Sequence, residues 1–159
     1  MMGWQEISRA KNLSHTALVQ YWNGAGEPLT SVLERGYAVI LSQLAHNQMY
    51  LNYPLDVLSI EDLYNDFLCP DGLTRPARIK GVEACMWCHP QRDLEFLLWP
   101  RLLVTTEFGW YGDQDKNLPQ FLQRCEKTVD LLRQLTHIDT GPIYPPYRNR
   151  AAIARPDTF

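Results

Sequence analysis

Apolar positions along the chain fall into blocks whose spacing predicts the elements. In residues 4–22, Ile7, Leu13, Leu18 and Tyr21 are spaced to bury the inner faces of two crossed helices. These would be a short helix over 4–10 and a second one from Ser14, a good N-cap, after a break at 11–13. The plainer alternatives are an ordinary helical hairpin, or a helix followed by a strand at 16–22. Val32, Leu33, Tyr37, Ile40, Leu41 and Leu44 predict a helix over 30–47, opened by a Ser31/Glu34 capping box. Gly36 weakens it by ~1 kcal/mol relative to alanine. Ile60, Leu63, Tyr64 and Phe67 predict a helix over 60–68 beginning at Ser59. Leu118, Leu122, Cys125, Val129, Leu132 and Leu135 predict a longer helix over 118–136, with Asn117 and Gln120 set as a capping box and Pro119 in the first turn.

The stretch 81–112 has a different pattern. It holds Trp87, Trp99 and Trp110 and the longest apolar run of the chain. Residues 78–88 read as strand, and 90–93 as a turn. The segment LEFLLWPRLLVTT reads as strands 94–99 and 102–108 kinked at Pro100, because proline interrupts a helix and cannot donate to a ladder. The fold expected is therefore α+β: a small, mainly antiparallel sheet over about residues 78–110, packed by helices 30–47, 60–68 and 118–136, with an N-terminal helical hairpin. Residues 1–140 are expected to form a single globular domain. Residues 141–159, with four prolines, three arginines and one aspartate, form an extended tail.

Composition narrows the class. With 159 residues, 45% apolar and 21% charged, the chain can bury a core and is not of disordered composition. The N-terminus lacks the apolar stretch of a signal peptide, and no apolar run approaches the ~18–20 residues of a membrane span. A cytoplasmic protein with reduced cysteines and no membrane partner is expected. The net charge of −3 is spread over both halves of the chain, so bulk electrostatics does not favour nucleic acid.

Residues 4–22, WQEISRAKNLSHTALVQYW, also resemble the helix-turn-helix of lambda-type repressors and the N-terminal one of mercury-resistance-type regulators. Ser8 stands where such helices approach closely, and Asn12 where the turn needs a left-handed residue. The resemblance implies DNA as an alternative partner, with His15, Thr16 and Gln20 facing bases and Arg9 and Lys11 near phosphates. Lys11 departs from the family's pattern, standing at a normally apolar position. The recognition segment SHTALVQYW carries no arginine or lysine.

The cysteines suggest other chemistry. Cys85-Met-Trp-Cys88-His89 fits the spacing of haem-c attachment, but no export signal accompanies it. Cys69, Cys85, Cys88 and His89 make a third candidate, a small zinc site, with His46 or Cys125 as other fourth ligands. Against it, an extended strand sends Cys85, Trp87 and His89 to one face and Cys88 to the other. No cofactor other than zinc is suggested. Nothing local prepares a nucleophile, and Asp93/Glu95 and Asp113/Asp115 read as solvated turn residues rather than an acid–base pair.

Trp87, Trp99, Trp110 and Tyr111 are more than one small core absorbs, so part of the set is expected at the surface. The reading that follows is a non-catalytic partner-binding protein of inhibitor, immunity, adaptor or assembly-factor type. Another protein would dock on the aromatic turn at Phe108, Trp110 and Tyr111 and on the acidic face at Glu61, Asp62 and Asp66. A homo-oligomer is compatible with the same surface.

Overall fold

The β-branched and aromatic residues of LVQY and AVIL suit a pleated, packed surface, and both segments are strands. In the computed structural model, which describes residues 1–23, 26–47, 49–51, 58–69, 73, 77–87 and 94–144, there are strands β1 (Met2–Trp4), β2 (Leu18–Tyr21), β3 (Ala38–Leu41) and β4 (Ile79–Val82). All neighbours pair in parallel, in the order β1-β2-β3-β4. A 3-10 turn spans Gln5–Arg9, and the helices are α1 (Leu29–Glu34), α2 (Ile60–Tyr64), α3 (Leu94–Leu98), α4 (Leu102–Tyr111) and α5 (Leu118–Thr136).

The sheet is thus parallel, not the antiparallel sheet expected at 78–110; only β4 lies in that window. The N-terminal hairpin is replaced by strand, 3-10 turn and strand. The expected helix 30–47 is α1 followed by β3. Gly36, at φ +88°, stops α1 by giving its N–H to Leu33 O at 2.9 Å in a left-handed conformation that costs a glycine nothing. Ser31 lies inside α1, whose N-cap is Pro28. The expected helix over 60–68 shortens to α2, though Ser59 and Asp62 form its capping box.

The strands expected at 94–99 and 102–108 are α3 and α4. Pro100 does break the segment, but between two helices. Its carbonyl accepts Leu103 N–H at 2.9 Å, and its missing N–H is harmless at a helix start. The Trp99–Pro100 peptide is cis. Helix α4 packs on both β4 and α2 and buries Val104, Thr105 and Phe108, while Leu94 and Phe96 of α3 and Trp110 and Tyr111 of α4 stay exposed. Residues 108–111, expected as an aromatic turn, are therefore the last turn of α4, ended by Gly112 at φ +62°.

Helix α5 runs where its periodicity places it, capped by Asn117, whose side chain accepts Gln120 N–H at 3.1 Å. Its buried line is Phe121, Cys125 and Val129, with Phe121 stacked on Tyr64 at 4.4 Å, while Leu135 is exposed.

The two faces of the sheet differ. Val19, Tyr21, Val39, Leu41 and Ile79 are buried with residues of α1, α2, α4 and α5 in one core. Fully covering a side chain of that kind contributes about 1.5–3 kcal/mol. Leu18, Gln20, Ala38 and Ile40, on the second face, are only half-buried. A parallel sheet wound in sequence order, without the order reversal of a doubly wound sheet, is an arc of a β/α barrel. Among the described residues no helix is long and apolar enough to cross a membrane.

Candidate functional site

In a barrel built this way, ligand chemistry collects at the carboxyl ends of the strands. Four aromatic residues meet there. Trp4 ends β1, Trp22 follows β2, Tyr50 lies in the extended return after β3, and Trp87 follows β4. The Trp4 ring lies 6.3 Å from Trp22, edge to face, and 5.3 Å from Trp87, tilted by 35°. Tyr50 meets Trp87 edge to face at 6.3 Å. Trp4 and Trp87 are 37% and 42% exposed, so their faces form a wall open to a ligand, whereas Tyr50 is nearly buried at 9%.

The wall is held by polar contacts from the strand ends. Gln5, 2% exposed, accepts the N–H groups of Trp22 and Asn23 on its Oε1 at 3.1 and 2.8 Å, and donates to Asn23 O at 2.6 Å. Trp22 Nε1 donates to Glu6 Oε1 at 3.2 Å. On the same sheet face, the Glu83 carboxylate accepts from Gln20 Nε2 and Ser42 Oγ, tying together the carboxyl ends of β2, β3 and β4. The main chain of 49–51 continues the sheet: Cys85 N donates to Met49 O and Leu51 N to Cys85 O, each at 2.8 Å, and Tyr50 bridges Cys85 in parallel. Tyr50, Cys85 and Trp87 consequently share a face.

The described cysteines Cys69, Cys85 and Cys125 are not grouped as a metal centre. Among the described residues, no three or more His, Cys, Asp or Glu are grouped to hold a metal ion. Cys69 is buried, and Cys88 and His89 lie outside the described residues. Burial, and then the neighbouring Glu83, push the Cys85 thiol up, which keeps it protonated at neutral pH. Burial pushes Cys125 to about 12.

The residues considered for DNA divide between the two ends of the sheet. Arg9, Lys11 and His15 share a cleft of about 440 Å³ with Arg35 at the amino end. Arg35 Nη1 meets Glu27 at 2.5 Å, Arg9 Nη2 donates to Gly26 O at 2.6 Å, and His15 stacks on Tyr37 at 5.6 Å. The hydrogen bond from Arg35 holds the Glu27 carboxyl below its ordinary value. Thr16 is bonded to Ser14, and Gln20 lies within β2 on Glu83. No recognition helix exists here, because residues 18–21 are a strand.

The surface considered for a protein partner also divides. Phe108 is 2% exposed and belongs to the core, while Trp110 and Tyr111 project from the end of α4. Asp66 is 4% exposed and not part of a wet face. It accepts His46 N–H and Nδ1, Asn47 Nδ2 and Phe67 N–H, at 2.7 to 3.2 Å. Asp62 closes the α2 capping box beside Glu61.

The sequence reading did not assemble Trp4, Trp22, Tyr50 and Trp87. The available signal was an aromatic residue at or just beyond the ends of β1 and β2 (MGW, VQYW). It has meaning only once the strands are recognised as parallel.

The family described as "Glycosyl hydrolase family 20, catalytic domain" matches residues 1–113. No curated protein sequence matches the chain. Among solved structures, the fold is similar to an exo β-N-acetylglucosaminidase of Vibrio harveyi, in complex with N-acetylglucosamine, at TM-score 0.72 and 20% identity, over 91% of this chain and 25% of that one. A Flavobacterium johnsoniae chitobiase is similar at TM-score 0.68 and 30% identity, over 87% of this chain and 22% of that one. A β-N-acetylhexosaminidase of Bacteroides fragilis is similar at TM-score 0.68 and 20% identity, over 89% of this chain and 32% of that one. The chain therefore spans between about a fifth and a third of the length of these proteins. These matches overturn the reading as a non-catalytic partner-binding protein, and with it the DNA-binding regulator and zinc-protein alternatives.

Proposed function

The chain belongs to the glycosyl hydrolase family 20 catalytic-domain family, and from that premise we propose that it supplies the sugar-recognising wall of a glycosidase active site, one that takes terminal β-linked N-acetylhexosamine. The observation that carries this reading is the Trp4, Trp22, Trp87 and Tyr50 cluster at the carboxyl edge of the sheet. A pyranose ring has an apolar C–H face and a polar hydroxyl rim. Flat, partly exposed indoles fit the first, because each covers ring area worth about 25 cal/mol per Å².

In family 20 hydrolysis the substrate itself assists, so holding its reacting group in place matters as much as supplying a second carboxylate. The described residues are suited to that holding role. The Trp22 indole N–H is tied by Glu6 and its main-chain N–H by Gln5, so that part of the wall is preorganised before sugar arrives. Glu83 already accepts from Gln20 and Ser42, which makes it a tie between strands rather than a proton donor. Proton transfer is assigned to the catalytic domain as a whole.

The test is a titration of the purified chain with N-acetylglucosamine and with glucose, followed by tryptophan emission. Saturable quenching by the N-acetylated sugar, at a Kd near ~1 mM and tighter than for glucose, supports the reading. Equal, non-saturable responses to both sugars would overturn it.

A further inference from the structure

We infer that Arg101, which donates to the main chain beside the sugar wall, is the positioning residue for Tyr50. Arg101 precedes α4 and is completely buried, the largest side chain so enclosed among the described residues. Its hydrogen bonds among the described residues all go to main-chain carbonyls. Nη2 donates to Leu51 O and, at 3.2 Å, to Leu97 O; Nη1 donates to Leu58 O at 3.3 Å; Nε has no partner among the described residues. Burial lowers its pKa to about 10, so it is still a cation at neutral pH.

A buried cation is a costly way to fill a core, and an apolar side chain of similar volume often packs as well or better. The rigid, planar fork of guanidinium does what no apolar residue can: it fixes several carbonyls in one plane. One of those carbonyls belongs to Leu51, whose own N–H is given to Cys85 O at 2.8 Å. Leu51 is thereby gripped from both sides, by the continuation of β4 and by Arg101. The residue before it is Tyr50, paired with Cys85 and set edge to face on Trp87. Through Leu97 O the same guanidinium anchors this arrangement to α3. Lysine offers a point charge without the fork, so the exchange to lysine should loosen Tyr50 while keeping the charge.

The role of Tyr50 in sugar binding rests on the function proposed above; the positioning itself does not. Arg101→Lys, Tyr50→Ala and the double variant are compared by near-UV circular dichroism, by the indole N–H resonance of Trp87, and by N-acetylglucosamine titration. With cooperative unfolding retained, Arg101→Lys is expected to weaken the near-UV band, shift the Trp87 resonance and lower sugar affinity about 10-fold. The double variant should bind no more weakly than Tyr50→Ala alone, the non-additivity of residues acting through one another. An unchanged Trp87 resonance and near-UV band in Arg101→Lys, or additive losses, overturns the inference. If wild type binds no sugar but the Trp87 resonance still shifts in Arg101→Lys, the positioning stands and the sugar site falls. Should Arg101→Lys fail to fold, amide exchange of the wild-type chain decides. Leu51 N–H protected as strongly as Val39 N–H supports the grip on Leu51, and exchange at loop rates contradicts it.

Discussion

The two ends of the parallel sheet carry opposite kinds of ligand-like feature. At the amino end, Arg9, Lys11, His15 and Arg35 gather around a cleft of about 440 Å³. At the carboxyl end, three tryptophans and a tyrosine gather, with the Glu6 carboxylate on the Trp22 indole. The cleft holds more chemistry by residue type, yet much of it is spent internally: Arg35 and Arg9 turn to Glu27 and Gly26, and His15 lies on Tyr37. The aromatic end has the reverse arrangement. The N–H groups of Trp22 are tied by Gln5 and Glu6, while the ring faces of Trp4 and Trp87 stay partly exposed. What marks a site here is preorganised surface left over after internal bonding, not a density of charged residues.

The comparison breaks most directly at Trp87. Trp87→Ala removes the ring that touches both Trp4 and Tyr50, and should weaken N-acetylglucosamine binding at least ~10-fold, measured by calorimetric titration. Gln5→Ala comes next. It leaves the Trp22 and Asn23 N–H groups without their acceptor and should cost about 1–3 kcal/mol in urea unfolding, with a smaller loss of affinity.

At the amino end, Glu27→Gln probes the internal pairing. Glu27's folded pKa lies below its ordinary 4.5 because Arg35 hydrogen-bonds the carboxylate. Its contribution to stability is therefore full above 4.5, declines as pH falls below that, and is gone under the folded value. Unfolding curves over that acid range should lose part of their pH dependence in the variant. The smallest effect is Lys11→Ala, expected to change neither sugar affinity nor melting temperature measurably, because Lys11 is exposed at the end away from the wall.

Much of the local structure was legible and the topology was not. Asn117, Pro119 and the period of 118–136 announce α5, and Ser59 with Asp62 announces α2, because caps and amphipathic stripes are local signals. The segment 38–41 defeats such reading. Its apolar residues also fit the helical spacing begun at Val32, and only the positive φ of Gly36 separates the two elements. In 94–111, apolarity on all sides leaves no amphipathic period to read, and the segment is helical although Leu94, Phe96, Trp110 and Tyr111 remain exposed. The site was hidden for the same reason. Trp4, Trp22, Tyr50 and Trp87 are up to 83 residues apart, and only parallel pairing brings their positions to one edge. The adjacent Cys85–His89 motif drew attention by its spacing, although the thiol at Cys85 sits beneath the wall and is not activated.

The central claim is that sugar is bound by the carboxyl-edge aromatic wall, and the indole N–H resonances of a ¹⁵N-labelled chain test it directly. On adding N-acetylglucosamine, the resonances of Trp4, Trp22 and Trp87 should shift together along one binding curve while that of Trp110, exposed at the end of α4, stays in place. A shift confined to Trp110, or none at any of the wall tryptophans, would contradict the account.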